Sequence, residues 1–211
     1  TIQETYPFDE VAGRQLLPVF LFQTADQYFE FYSRIAKIPL EEAKRSKGHA
    51  WRDYYATWYE APNDPVHVHE ATHQIFANRL NLGGGGSWFQ EGVAEFASTA
   101  ASDRADAANR VKKSRHLRLA ELLKIESLLW SKPEDDKKES GAARDLYSEA
   151  ALLVEFVREA KWSRAKFQDW VHAVGACPPN DVEAIGRATS ATLGVDLPAF
   201  EQKWVEYCKA R

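Results

Sequence analysis

The stretch that decides the fold is DPVHVHEATHQIFANRL, residues 64–80. Asp64 followed by Pro65 predicts a helix start, because an N-cap aspartate accepts a hydrogen bond from the first turn and proline suits the first helical position. In this predicted helix, His69 and His73 are four residues apart and therefore lie on one face. Two imidazoles on one helical face can bind the same metal ion, so the stretch predicts a metal site.

Three glutamates extend this predicted site. Glu70 lies about 100° around the helix from His69, where its carboxylate can reach a metal-bound water without binding the metal itself. The next segment, WFQEGVAEF at 88–96, places Glu91 and Glu95 four residues apart on an otherwise apolar helix. Glu91 is the preferred third ligand, and Glu95 would then hydrogen-bond the far ring nitrogen of a ligating histidine. The opposite assignment, with Glu95 as the ligand, stays open.

Other interpretations of the histidine pair are weaker. Arg79 stands six residues beyond His73, where a metzincin would have its third histidine. A purely structural zinc site would normally fill its fourth position with cysteine or histidine. No cysteine lies near the pair in the sequence, and His67, two residues before His69, falls on another face of the predicted helix. The remaining alternative is that His69 and His73 are ordinary core histidines. The carboxylates that accompany them favour the metal site.

The two segments together resemble the gluzincin zinc metallopeptidases, in particular their peptidase MA-like and aminopeptidase N-like catalytic domains. The resemblance implies that Zn²⁺ is bound by His69, His73 and Glu91. It also implies that Glu70 is the general base and proton shuttle. The segment YSEAALLV resembles a third family motif, so Tyr147 would stabilise the oxyanion of the tetrahedral intermediate; packing into the core is the alternative role for this tyrosine.

The predicted fold class is α+β and zincin-like, with a single catalytic domain over residues 1–211. It comprises an N-terminal strand and helix lobe (1–62), two active-site helices (63–102) and a helical lobe (103–211). Strands are expected at 16–22, where the apolar run predicts burial, and at 51–60, with a helix at 24–37 between them. The Gly83–Gly86 run is interpreted as a mobile or flexible connection, and 131–141 as a loop. Helices are expected at 105–113, 117–129, 143–160, 163–174, 180–193 and 198–209.

Composition limits the classes of function. The formal net charge of −4 gives no reason to expect nucleic acid, which would need a clustered basic surface, and no apolar run approaches the roughly 18 residues of a membrane span. The two cysteines, Cys177 and Cys208, could form one disulfide or be two buried thiols. The sequence contains no methionine, even at position 1, which favours a processed chain. Together with the resemblance, these features predict an extracytoplasmic or secreted location.

The predicted function is hydrolysis of peptide bonds through a zinc-bound water activated by Glu70, with a peptide or protein as substrate. The G-x-M-E-N motif that binds the free amine in aminopeptidases is missing, so an endopeptidase-like site is favoured, with residues 51–60 as an edge strand for the peptide. Two alternatives stay open. One is a zinc amidase acting on a non-peptide bond, and the other is a zinc-binding interaction module without turnover. The oligomeric state is not predicted.

Overall fold

A computed structural model describes residues 2–8, 17–51, 53–61, 64–128 and 139–211. Within these residues the fold is α+β, with eleven α-helices and one three-stranded sheet. The chain divides into two compact units, Thr1–Asn81 and Leu82–Arg211. No helix in the described part combines the length and apolar character that a bilayer span requires.

The first unit contains the sheet. Its elements are α1 (Ile2–Thr5), β1 (Val19–Phe22), α2 (Ala25–Ala36), α3 (Leu40–Ala43), β2 (Gly48–Trp51), β3 (Tyr54–Trp58) and α4 (Pro65–Ile75), and a π-helical turn (Phe76–Leu80) follows. The strand order is β1-β3-β2, with β1 parallel and β2 antiparallel to the central β3.

Helix α2 begins where the sequence predicts, because the Thr24 side chain accepts a hydrogen bond from the Gln27 amide at 3.3 Å. Its aromatic face packs on the sheet: the Tyr28 ring centroid lies 5.2 Å from that of Trp58, and the Phe31 centroid lies 4.9 Å from that of Phe22. The core of this unit is therefore largely aromatic.

Two predictions for the strands are wrong in detail. The strand expected at 16–22 is β1, but it is an edge strand, and Val19, Phe20 and Leu21 are each about half exposed (49%, 47% and 51%); residue 16 lies outside the described residues. The stretch 51–60 is not one strand. Trp51 ends β2, and Tyr54–Trp58 form β3, which is bonded on both sides; residue 52 lies outside the described residues. The two edges of the sheet therefore belong to β1 and β2, and not to β3.

The second unit is helical. Its helices are α5 (Ser87–Ser98), α6 (Ala105–Lys112), α7 (Leu119–Leu122), α8 (Glu139–Glu159), α9 (Phe167–Gly175), α10 (Val182–Leu193) and α11 (Leu197–Ala210). All six helices predicted after residue 103 are present, but the one expected at 117–129 is a single turn. It ends early because the chain turns at Leu123 and Lys124, and the Leu128 amide donates to Ser87 Oγ at 3.0 Å. Residues 131–138 of the predicted loop lie outside the described residues, while 139–141 already belong to α8.

The glycine run is held against the end of α9 and is not a flexible connection. The Gly84 amide donates to the Gly175 carbonyl at 2.8 Å, and the Gly85 amide donates to the Cys177 carbonyl at 2.9 Å. A Cβ on Gly84 would overlap the Cys177 carbonyl oxygen, so the close approach requires glycine here. The start of α5 is thereby fixed in the second unit.

The alternatives for the cysteines are resolved in favour of buried thiols. Cys177 and Cys208 are both free and buried. Burial raises the pKa of the Cys208 thiol to about 12 and also raises that of Cys177. Both side chains are therefore neutral packing groups at physiological pH.

Candidate metal centre

Helix α4 begins as the sequence predicts and brings the two histidines together. The Asp64 side chain accepts a hydrogen bond from the Val66 amide at 3.0 Å, and Pro65 occupies the first turn. One turn apart on this helix, His69 and His73 place their Nε2 atoms 3.2 Å from each other, with the rings inclined by 77°. Both residues are half-buried, and the short distance shows that their nitrogens point to the same small region.

This separation fits a single zinc ion. Two nitrogen ligands at about 2.0–2.1 Å from a tetrahedral Zn²⁺ lie about 3.3–3.4 Å apart, close to the observed distance. Among the described residues, one group of three metal-binding side chains has ligand atoms within 4.8 Å of one another, and it consists of His69, His73 and Glu91. Two neutral imidazoles and one carboxylate are also a ligand set that zinc accepts.

Glu70 lies beneath strand β2. Glu70 is only 5% exposed, and a Cβ placed on Gly48 would lie 3.0 Å from Glu70 Oε1. The glycine therefore lets the edge strand pass directly over the carboxylate. Burial raises the pKa of the Tyr32 and Tyr55 hydroxyls, and the negative charge of Glu70 raises it further. Those hydroxyls stay protonated, and thus uncharged, next to the carboxylate.

Gln74 is a contributor that the sequence analysis missed. It follows His73 on α4, is 1% exposed, and donates from Nε2 to the carbonyls of Trp51 and Tyr54, the latter at 2.6 Å. One amide group therefore holds the end of the β2–β3 hairpin to the helix that carries the histidines. The only sequence signal was a polar residue on an otherwise buried helical face, and its partners lie 20 or more residues earlier in the chain.

Helix α5 carries Glu91 and Glu95 in the second unit, both half-buried. Trp88 and Val93 are buried and fix the rotation of the helix. Gly92 lies against α8, because a Cβ there would stand 3.0 Å from the Ala150 carbonyl oxygen. The glycine beside the predicted ligand thus allows α5 and α8 to approach closely.

Tyr147 lies on that same helix α8, about one turn before Ala150, and is half-buried. It is well inside the helix, since α8 begins at Glu139 and not near 143 as expected. Two residues further on, Glu149 is buried and accepts from Arg110 Nε at 3.1 Å and from the Leu117 amide at 3.3 Å. Tyr147 and Glu91 are therefore on two helices of one unit that pack together at Gly92.

The roles predicted for Glu91, Glu95 and Tyr147 toward a metal or a substrate remain predictions. His49, in β2, has a structural role. It is 8% exposed, its Nδ1 lies 3.1 Å from the Tyr28 hydroxyl, and its Nε2 lies 3.4 Å from the Tyr54 hydroxyl.

No protein-family model matches this chain, and neither a curated protein nor a solved structure matches it. The function of this protein is therefore inferred from its own residues and their geometry. The likeness of the HEATH and WFQEGVAEF segments to gluzincins stays a resemblance of motifs.

Proposed function

We propose that this protein is a zinc-dependent hydrolase of the gluzincin type, and that it cleaves peptide bonds. The observation that carries the proposal is the His69–His73 pair, whose Nε2 atoms have the separation expected for two ligands of one tetrahedral zinc. Glu70, which lies between the two histidines in the sequence, is buried. Glu91 is proposed as the third ligand, which the grouping of the three ligand atoms supports.

Each residue has a distinct role in the proposed reaction. Bound zinc would supply Lewis acidity, lowering the pKa of a water and polarising the substrate carbonyl. Glu70 is the proposed general base: its carboxylate would take a proton from the attacking water and return it to the leaving amine. Tyr147 donates a hydrogen bond to the oxygen on which negative charge develops. Glu95 orients one of the ligating imidazoles by accepting from its second ring nitrogen.

The sheet supports a peptide as the substrate. Strand β2 is a sheet edge, and Gly48 within it lies against Glu70. An extended peptide that pairs with the free edge of β2 would bring its backbone carbonyls close to this carboxylate. Because such pairing uses only main-chain groups, it suits cleavage within a chain, and we propose an endopeptidase.

The test is to compare wild type with Glu70→Gln for zinc content and for cleavage of a broad set of quenched peptides. The variant should keep one zinc per chain and lose peptide hydrolysis by a factor of about 10² to 10⁴, because the amide cannot accept the proton. Glu30→Gln, on the exposed side of α2, is the matched control and should cleave as wild type does. Equal cleavage by wild type and Glu70→Gln, or no cleavage by zinc-loaded wild type, would overturn the proposal.

A further inference from the structure

The two faces of β2 have different surroundings. Gly48 lies on the face toward α4, against Glu70 and Val66. Side chains alternate along a strand, so His49 and Trp51 lie on the opposite face, and their ring centroids are 5.3 Å apart. A peptide paired with the edge of β2 would alternate in the same way. Every second side chain of that peptide would therefore project toward the face that carries Trp51.

Trp51 offers an exposed aromatic surface on that face. It is 41% exposed and sits opposite Tyr54 in the β2–β3 register, with the two ring centroids 5.7 Å apart at 62°. Two rings in this arrangement leave an angled apolar surface, which suits an aromatic or branched aliphatic side chain.

The pair is held in place from behind. Gln74 binds the main-chain carbonyls of both Trp51 and Tyr54, and His49 Nε2 lies 3.4 Å from the Tyr54 hydroxyl. Phe31 and Phe20 extend the same surface, with their centroids 6.2 Å and 5.1 Å from that of Tyr54. Among the described residues, the surface is therefore built of uncharged rings on a fixed backbone, which disfavours an acidic side chain because a carboxylate would lose water against the electron-rich ring faces.

We infer that Trp51 and Tyr54 form a subsite that selects substrates with a large apolar or aromatic side chain. This inference rests on the proposed peptidase function. Trp51 is three residues from Gly48, about 10 Å along an extended strand. The selected side chain is accordingly two or three residues from the bond that is cleaved.

The test uses the zinc-loaded full chain and a peptide that wild type cleaves, with its cleaved bond located by mass spectrometry. Each position within three residues of that bond is made Phe or Ala in turn. Wild type should prefer Phe at one position by about 10-fold or more in kcat/KM. Trp51→Ala should lower the ratio of kcat/KM for the Phe peptide to that for the Ala peptide toward one, because the Phe peptide loses more, and Trp51→Phe should retain most of the preference.

Tyr59→Ala is the matched control, since Tyr59 is an equally exposed ring (51%) just beyond the other end of β3. It should behave as wild type. A Trp51→Ala variant that keeps the Phe preference, or that slows every peptide equally, overturns the subsite and leaves the peptidase proposal standing. Absence of any cleavage by zinc-loaded wild type overturns both the subsite and the peptidase proposal. The wild-type measurement in the comparison with Glu70→Gln reveals that case.

Discussion

A few polar side chains fix the position of β2 beside Glu70. The Gln74 amide binds two carbonyls of the hairpin, and the His49 ring lies between two tyrosine hydroxyls. Burying such groups is unfavourable unless each finds its partner, so these contacts select one position of the strand. The aromatic rings around them add apolar burial, but rings alone tolerate several packings.

His49 gives a prediction for the pH dependence of stability. Burial lowers its pKa from 6.5 to about 4, so the unfolded chain binds the proton more readily than the folded protein. Above about pH 6.5, His49 is neutral in both the folded and the unfolded state. As the pH falls from 6.5 toward 4, the unfolded chain takes up the proton first, and the free energy of unfolding decreases. Between pH 7 and pH 4, the contribution of His49 to the free energy of unfolding should fall by about 2–3 kcal/mol.

Urea unfolding at the two pH values, with zinc removed from all samples, measures this effect. Wild type and His172→Gln, whose histidine is exposed on α9, should show the full decrease. His49→Gln should show a smaller one, because glutamine does not titrate in this range. If all three proteins lose the same free energy, His49 does not have the lowered pKa.

At the scale of elements, the helix starts with a local cap were the most predictable feature. Thr24 and Asp64 cap α2 and α4 where the sequence predicts, and Asp181 and Asp196 cap α10 and α11 in the same way. Without a side-chain cap, α9 begins at Phe167 and not at 163 as expected. The antiparallel pair β2–β3 was not predicted, because the sequence between Trp51 and Tyr54 is Arg-Asp and lacks an Asn-Gly type signal. The exposure of β1 was missed for a related reason, since an apolar run does not reveal which strands will flank it.

The candidate site was also predictable only in part from the sequence. The spacing of His69 and His73 on one helix face could be predicted, because it depends only on helical periodicity. The contacts of Gln74 with the hairpin and of Gly92 with α8 could not, because their partners lie far away in the sequence. Motif spacing therefore predicted the helix-borne groups, and the tertiary structure supplied their supports.

The loop before α5 gives a prediction at this scale. Gly84→Ala should lower the free energy of unfolding by on the order of 3 kcal/mol, because the added methyl group overlaps the Cys177 carbonyl oxygen. Gly83→Ala is the matched control, since nothing lies within 4 Å of a Cβ at that position. Chemical denaturation measures both. Equal stability of the two variants would show that the loop is not held against α9.

At the scale of the whole molecule, the proposed zinc ligands come from both compact units. His69 and His73 belong to Thr1–Asn81, and Glu91 belongs to Leu82–Arg211. Within the second unit, a buried network around Glu155 joins distant segments, because it accepts from Arg104 Nε at 2.6 Å and from the Tyr207 hydroxyl at 3.0 Å. Glu91 and Tyr147 are thus carried by a helical unit with its own packed core.

The central claim is that His69, His73 and Glu91 bind one zinc ion, and zinc titration of the metal-free protein tests it most directly. Wild type and His172→Ala, which changes an exposed histidine, should each bind one zinc ion per chain. His73→Ala should retain no tightly bound zinc, and Glu91→Gln should bind zinc more weakly than wild type. Zinc binding by His73→Ala as tight as that of wild type, or no zinc binding by wild type, would contradict the account.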